Sequence, residues 1–190
     1  MKHIKLASAL VVAMGLAAAG VASAQSANGG TITFTGSVTD STCTISGGGG
    51  TNGGTGNFTV ALDSVAATDL AAAGVTANAK PFTVTIGGPG QGTCLDGKVA
   101  TLSFLTSSPQ IDAATGALTN ALAGQATNTE IQLMDSTGAP INLADPSYSV
   151  NSPAIANNTA QINLQAQYYA TGAATSGLVS TSVVYAIAYN

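Results

Sequence analysis

Apolar side chains recur at every second position in the last stretch of the chain, and this period constrains the fold more than any other feature. In residues 181–190 (TSVVYAIAYN), Val183, Tyr185, Ile187 and Tyr189 alternate with mostly small residues. In an extended backbone such residues share one face, and their β-branched and aromatic character favours a strand. The stretch is therefore predicted to be a β-strand with one apolar face, either an ordinary core strand or a strand presented to a partner.

Short alternating runs recur along the rest of the chain and are separated by clusters of Gly, Pro, Asn and Ser. They are found in residues 30–38, 57–62, 82–86, 100–104, 131–133 and 162–168. Short strands at such spacing are typical of an all-β sandwich. A hairpin is predicted over residues 131–143 with its turn at 135–140. Residues 66–74 are compatible with one or two helical turns that end at Gly74.

The start of the chain has the layout of an export signal. A basic start (MKHIK) precedes an apolar run over residues 6–21, and Ala22-Ser-Ala24 forms a small-x-small cleavage site. The apolar run is shorter than the roughly 20 residues that a membrane-spanning helix needs. We therefore expect residues 1–24 to be a signal peptide and to be removed after Ala24.

The charged residues exclude several classes of function. Removal of residues 1–24 leaves Lys80 and Lys98 as the only cations against eight acidic residues, and the single histidine, His3, is lost as well. Nucleic acid is therefore not an expected partner, because little remains to neutralise phosphates. Nucleophilic catalysis lacks its usual base, and an acidic pair such as Asp63 with Asp69 is the one catalytic arrangement left open. We expect no enzyme, no cofactor and no metal.

Two cysteines, Cys43 and Cys94, are present in a chain that is expected to be exported. An intramolecular disulfide is the natural prediction in an oxidising compartment, because a metal site would require further ligands. In the chain-entropy model such a bond stabilises the fold by about 4 kcal/mol.

A glycine-rich run occupies residues 46–56 (SGGGGTNGGTG). It lacks the Gly-Lys-Ser/Thr ending of a phosphate-binding loop. We therefore expect a flexible surface connection.

The C-terminal region resembles the chaperone-usher pilin subunits, in particular the type 1 fimbrial major subunit family. The resemblance rests on Gly177, on the alternating residues that follow, and on the penultimate Tyr189, and it extends over nearly all of residues 28–190. It implies an incomplete immunoglobulin-like β-sandwich over residues 39–190. It also implies that a periplasmic pilus chaperone captures the strand of Gly177, Val183, Tyr185, Ile187, Tyr189 and Asn190.

The same resemblance implies a function for residues 25–38, which precede the first cysteine. In the family this segment is a donor arm that completes the neighbouring subunit as an added strand. The inward positions of the arm are then Gly30, Ile32, Phe34, Gly36 and Val38, with Gly30 in a pocket closed to larger side chains.

The resemblance thus implies a structural subunit of a fimbria that polymerises head to tail by donor-strand exchange and supports cell adhesion. Its expected partners are a periplasmic chaperone, an outer-membrane usher and neighbouring pilins. Its expected route is through the periplasm to a fimbrium on the cell surface. The other hypotheses left open are a secreted monomeric carbohydrate-binding module and a minor tip or adaptor pilin.

Overall fold

The computed structural model of the protein describes residues 41–190 as two antiparallel β-sheets packed against each other. In chain order the strands are β1 (Ile45–Gly47), β2 (Thr76–Gly87), β3 (Val99–Phe104), β4 (Leu118–Thr119), β5 (Thr129–Met134), β6 (Ser149–Ala154), β7 (Thr159–Ala170) and β8 (Tyr185–Tyr189). Within these described residues, a 3-10 turn covers Ala67–Leu70. The all-β sandwich predicted from the sequence is confirmed.

The strand order explains how the two sheets enclose one core. The larger sheet has the order β1-β2-β7-β5-β4, and the smaller has the order β6-β3-β8. The long strands β2 and β7 form the middle of the larger sheet, where Phe82 lies opposite Leu164 and Val84 opposite Ile162. Their alternate side chains are buried, as the period of two requires.

The core is aliphatic and comes from both sheets. Its largest fully buried side chains are Ile86, Leu102, Ile141, Leu143, Ile155, Ile162, Leu164 and Val84. Each such side chain stabilises the fold by about 1.5–3 kcal/mol relative to an exposed one. The core therefore depends on strands that are far apart in the sequence.

The glycine-rich run lies at the surface, as predicted, but its first half is hydrogen-bonded to a strand, which the prediction of a flexible connection did not anticipate. It folds back on β2, where the Gly48 amide donates to the Thr83 carbonyl and the Thr83 amide donates to the Gly49 carbonyl. Gly50 has a positive φ of +80°, and a Cβ there would lie 2.2 Å from the Pro81 carbonyl oxygen. Glycine is needed because the loop approaches another backbone closely.

The predicted disulfide is present in the structure. Cys43 and Cys94 are bonded, with their Cα atoms 4.5 Å apart. The bond ties the segment before β1 to the loop before β3, and the Thr42 amide donates to the Thr93 carbonyl beside it. One edge of the larger sheet is therefore anchored covalently.

Several predictions concern the N-terminal part of the chain. The signal peptide over residues 1–24 and the arm over residues 25–38, with Gly30, Ile32, Phe34, Gly36 and Val38, lie outside the described residues. Among residues 41–190, no helix is long and apolar enough to cross a membrane.

Candidate functional site

Strand β8 lies at an edge of the smaller sheet, and one side of it has no strand partner within residues 41–190. It pairs with β3 in the register of Tyr189 with Ala100 and Tyr185 with Phe104. Asn190 and Val99 exchange both of their backbone hydrogen bonds, and the Leu105 amide donates to the Val184 carbonyl. In an antiparallel pair these contacts alternate, so the backbone groups of the odd-numbered residues of β8 point away from β3.

The same arrangement continues before β8, along residues 178–184. The Ser180 carbonyl accepts from the Ala121 amide, and the Ser180 amide donates to the Asn120 side chain. The Val184 amide donates to the hydroxyl of Ser108. Ser180 and Val184 are thus held by residues that follow β4 and β3, and the backbone groups of the odd-numbered residues face the open side.

The predicted strand over residues 181–190 is therefore too long at its start, because β8 begins only at Tyr185. Residues 181–184 pass beyond the end of β3, where the Leu105 amide and the Ser108 side chain bond to Val184 in place of a regular ladder. The side-chain alternation nevertheless holds: Val183, Tyr185, Ile187 and Tyr189 pack against the core, whereas Val184 is 55% exposed.

A second extended segment, residues 56–62, faces this open edge. Its side chains alternate as the sequence predicts, with Phe58, Val60 and Leu62 half-buried against the core. The structure assigns no strand to it, so the prediction of a strand over residues 57–62 is wrong. The physical reason is the missing partner, because a segment becomes part of a sheet only through ladder hydrogen bonds.

The opening between residues 56–62 and residues 178–190 is named the groove. It contains a cavity of about 610 Å³ whose lining reaches down to the hydrophobic core. The floor of this cavity is formed by Phe82, Val84, Leu102, Phe104, Leu118, Ile131, Leu133, Leu164, Ala166 and Tyr168. The groove therefore opens toward the apolar core beside a row of backbone groups that have no strand partner within residues 41–190.

The two edges of the smaller sheet differ in a way that supports this description. The other edge, β6, contains Pro153 and exposed polar residues, which are features that discourage strand addition. Strand β8 has neither a proline nor a charged residue. The groove edge is thus the side of the smaller sheet that is open to an added strand.

Tyr185 of β8 reaches across the groove, and Tyr189 reaches the segment before β1. The hydroxyl of Tyr185 donates to the Gly56 carbonyl, and the hydroxyl of Tyr189 donates to the Cys43 carbonyl at 3.4 Å. Burial raises the pKa of both phenols above the ordinary value of 10.0. Both hydroxyls therefore stay protonated at neutral pH and can donate these hydrogen bonds.

Gly177 lies where the chain enters the groove wall. A Cβ on Gly177 would lie 2.3 Å from the Ala126 amide nitrogen and 2.7 Å from the carbonyl carbon of Gln125. Only glycine allows this close approach. In the next residue, the Leu178 amide donates to the Gln125 side chain, and the Leu178 carbonyl accepts from the Asn120 side chain.

The acidic pair considered for catalysis has structural roles instead. Asp63 forms an ion pair with Lys80 at 3.2 Å, and Asp69 accepts from the Ala66 amide at the start of the 3-10 turn. In the part of the chain that is described, no three His, Cys, Asp or Glu side chains cluster so as to hold a metal ion.

Glu130 is a buried carboxylate that the sequence did not draw attention to. It is only 5% exposed, and the Thr115 hydroxyl donates to it at 2.7 Å. Burial raises its pKa above the ordinary value of 4.5; the Thr115 hydrogen bond lowers it, and the nearby Asp112 carboxylate raises it further. A carboxyl group whose pKa is higher in the folded state than in the unfolded state stabilises the fold at pH values below its unfolded-state pKa. This stabilisation is lost as the pH rises through the folded-state pKa.

Glu130→Gln, which resembles the protonated acid, is therefore expected to raise the melting temperature at pH 7 and to change it little at pH 4. The measurement is thermal unfolding of the exported protein and its variant at both pH values. Hydrogen bonds from Thr137 and Ser147 lower the pKa values of Asp135 and Asp145, so these two residues change stability with pH in the opposite direction to Glu130. Both proteins share this effect, and it cancels when their melting temperatures are compared at the same pH. A pH-independent difference would contradict the assignment to Glu130.

The structure brings some of the predicted residues together and adds others. The odd positions from Val183 to Tyr189 line the open edge, as the period of two indicates. Sequence reasoning missed the opposite wall and the floor, because these come from segments distant in the chain. The alternation of Phe58, Val60 and Leu62 after a glycine-rich run is the signal that could have identified the wall.

Comparisons with known proteins agree with this geometry. A family model described as "Fimbrial protein" matches residues 32–190. The major fimbrial subunit SMF-1 of Stenotrophomonas maltophilia is 41% identical over 174 residues, covering 88% of this chain and 96% of the relative. The type-1 fimbrial protein A chain of Escherichia coli K12 is 31% identical over 190 residues, covering 100% of both chains.

Solved structures support the fold. A type I fimbria protein of Burkholderia pseudomallei matches with a TM-score of 0.52 and 24% identity, covering 78% of this chain and 100% of that chain. A subunit from the structure of a chaperone-usher pilus matches with a TM-score of 0.53 and 17% identity, covering 96% and 100%. At these identities the likeness establishes the pilin sandwich and nothing further.

Proposed function

The chain belongs to the fimbrial protein family, and from this premise we propose that it polymerises by accepting a strand from the next subunit into its groove. It is a structural subunit of a pilus, as its family membership and its major-subunit relatives indicate. The observation that carries the proposal is the unpaired edge of β8 beside an opening to the core.

The proposed occupant is the arm of a neighbouring copy, residues 28–38. Its alternating residues Gly30, Ile32, Phe34, Gly36 and Val38 suit an apolar groove, and it is as long in residues as the open edge from 179 to 189. An added strand of this kind gains backbone hydrogen bonds along the edge and places alternate side chains in the groove.

The energy of such insertion is large enough to hold a fibre together. Burial of Ile32, Phe34 and Val38 at about 1.5–3 kcal/mol each contributes roughly 5–9 kcal/mol, before the new ladder of hydrogen bonds is counted. Ordering the arm reduces this gain. Because each copy offers an arm and a groove at different places, the contact repeats head to tail and forms an open fibre.

The proposed route to the surface uses the same edge. A periplasmic chaperone that pairs with Val183, Tyr185, Ile187 and Tyr189 would cover the exposed core until the arm of another subunit replaces it. Residues 1–24 direct export, an outer-membrane usher passes the subunit outward, and the product is a surface fimbrium. The work of the chain is structural and not enzymatic, which accords with the structural roles of Asp63 and Asp69.

Electron microscopy of cells with and without this chain tests the proposal. Deletion is expected to remove the fibres, and restoring the chain is expected to return them. Fibres of unchanged number and length in the deletion strain would contradict a structural role in the rod. Loss of adhesion with fibres still intact would favour the tip or adaptor hypothesis.

A further inference from the structure

We propose that Asn120 is a positioning residue of the groove: its side-chain amide takes the place of a neighbouring strand and holds residues 178–180 extended, ready to pair with an incoming arm. Asn120 directly follows β4 and is half-buried. The inference rests on the proposed function and names a residue that lets a subunit accept an arm, as distinct from donating one.

The groove wall over residues 178–190 is supported in two different ways. From Val184 onward, β3 and the segment after it supply the backbone and hydroxyl groups that hold it. Residues 178–180 have no strand beside them among the described residues, yet Val179 and Ser180 line the cavity. The groups that hold residues 178–180 therefore set the shape of the open edge at the end farthest from β8.

The Asn120 side chain bonds to both sides of Val179. Its nitrogen donates to the Leu178 carbonyl at 2.9 Å, and its oxygen accepts from the Ser180 amide at 3.0 Å. One carboxamide thus binds the wall as a peptide group of an adjacent strand would. With its two neighbours held on this side, Val179 packs against the core and its backbone groups are left to the open side.

Asn120 can hold the wall because its own position is fixed. The same nitrogen donates to the Ala126 carbonyl at 3.0 Å, and the same oxygen accepts from the Leu122 amide at 3.1 Å. A primary amide has two N–H donors and two acceptor lone pairs, and all four are used here. An aspartate of the same size would offer no donor, so the identity of this side chain is specified by its contacts.

The open side of the same segment contributes little to holding it. Among residues 41–190, the hydroxyl oxygen of Thr181 is buried and has no hydrogen-bond partner. The Leu178 side chain is 68% exposed. Without the Asn120 amide, an incoming arm would have to order this part of the wall as well as itself, which weakens its binding.

The two roles of a subunit can be separated, because the arm and the groove lie at different places in the chain. A subunit without the Asn120 amide keeps its arm and can join a fibre through it. Its groove then accepts the next arm poorly, so the subunit becomes the end of that fibre. A subunit that merely misfolds would not join a fibre at all.

The test compares Asn120→Ala and the isosteric Asn120→Asp with Asn151→Ala. The control removes an exposed side chain of β6 that accepts from the Thr101 hydroxyl at 2.8 Å. When each variant is produced alone, both Asn120 variants are expected to lower the yield of sheared fibres about ten-fold or more, and the control is expected to assemble normally. Ten-fold corresponds to about 1.4 kcal/mol, the net contribution of one or two hydrogen bonds.

Co-purification of the Asn120 variants with the chaperone is expected to be retained, because the proposed chaperone contacts begin only at Val183. Normal fibre yield from either Asn120 variant would overturn the proposal. An equal loss of fibres in Asn151→Ala would overturn it as well.

Cells that produce the wild-type and Asn120→Ala subunits together separate positioning from mere instability. Their fibres are expected to be several-fold shorter than wild-type fibres. Mass spectrometry of sheared fibres is expected to find the variant, at a much lower share than in the periplasm. Fibres of unchanged length would overturn the proposal, whether they contain the variant at its periplasmic share or lack it.

Gln125→Ala covers the case in which neither Asn120 variant accumulates in the periplasm. The exposed Gln125 side chain accepts from the Leu178 amide at 3.1 Å, so its removal loosens the same segment and leaves Asn120 in place. It is expected to shorten fibres in mixed cells to a smaller degree, and unchanged length would then overturn the proposal. None of these outcomes bears on donor-strand exchange itself, which fails only if a charge in the arm leaves polymerisation intact.

Discussion

Phe34→Asp is expected to abolish fibres while leaving the subunit bound to its chaperone. Insertion of the arm would place residue 34 over the apolar floor of the groove, where the lining includes Leu102, Leu133 and Leu164. A carboxylate there has no cation to pair with among the residues that line the cavity. Its desolvation, together with the lost burial of the ring, removes several kcal/mol from an interaction of roughly 5–9 kcal/mol.

The neighbouring position provides a matched control. Thr33→Asp adds the same charge one residue away, on the outward face of the arm, and is expected to assemble. The measurements are fibre counts by electron microscopy and co-purification of the periplasmic subunit with its chaperone. Fibres from Phe34→Asp cells, or equal loss in both variants, would contradict the donor role of this segment.

The strands at the centre of the sheets could be predicted from their period alone. Residues 82–86 and 162–168 alternate strictly, and they lie within β2 and β7 with their apolar side chains buried. By contrast, β6 was not foreseen, because Ser, Asn and Pro are poor strand formers and Pro153 suits only an edge. Its pairing with β3 comes from tertiary context.

The glycine-rich run shows why composition can mislead. Many glycines predict a flexible linker, yet Gly47 and Gly50 lie so close to Phe58 and Pro81 that any side chain would clash. The run positions Phe58 on the groove wall, since the Ser46–Thr55 bridge returns the chain to β1 just before it. Flexibility cannot be read from glycine content when glycines permit contact between backbones.

The candidate site was predictable along β8 and not across the groove. A period of two identifies which residues of 181–190 face the core, but it carries no information about what lies opposite. The most informative error is the strand predicted over residues 57–62, which has the right alternation and no ladder partner. In a sandwich that lacks one strand, the segment beside the gap keeps the side-chain period of a strand but has no neighbouring strand to pair with.

Tyr189→Asp is expected to lower the amount of soluble subunit that co-purifies with the chaperone about ten-fold or more. Tyr189 packs against the core and is the last residue of a strand of only five residues. Removing a fully buried aromatic side chain costs on the order of 3–5 kcal/mol, and Tyr189 is half-buried; ten-fold corresponds to about 1.4 kcal/mol. The new carboxylate would also lie against apolar neighbours and lose the hydrogen bond to the Cys43 carbonyl.

Two controls separate the ring, the hydroxyl and the charge of this variant. Tyr189→Phe keeps the ring and removes only a long hydrogen bond of 3.4 Å, so it is expected to retain most of the complex. Ala186→Asp adds the same charge at an exposed position of β8 whose side chain lies on the opposite face, so it is expected to retain the complex as well. Quantitative co-purification with the chaperone from periplasmic extracts makes the comparison. Undiminished recovery of Tyr189→Asp would contradict the role of β8 as the captured strand, whereas equal loss in Ala186→Asp would show that charge alone, and not the inward face, is what the chaperone rejects.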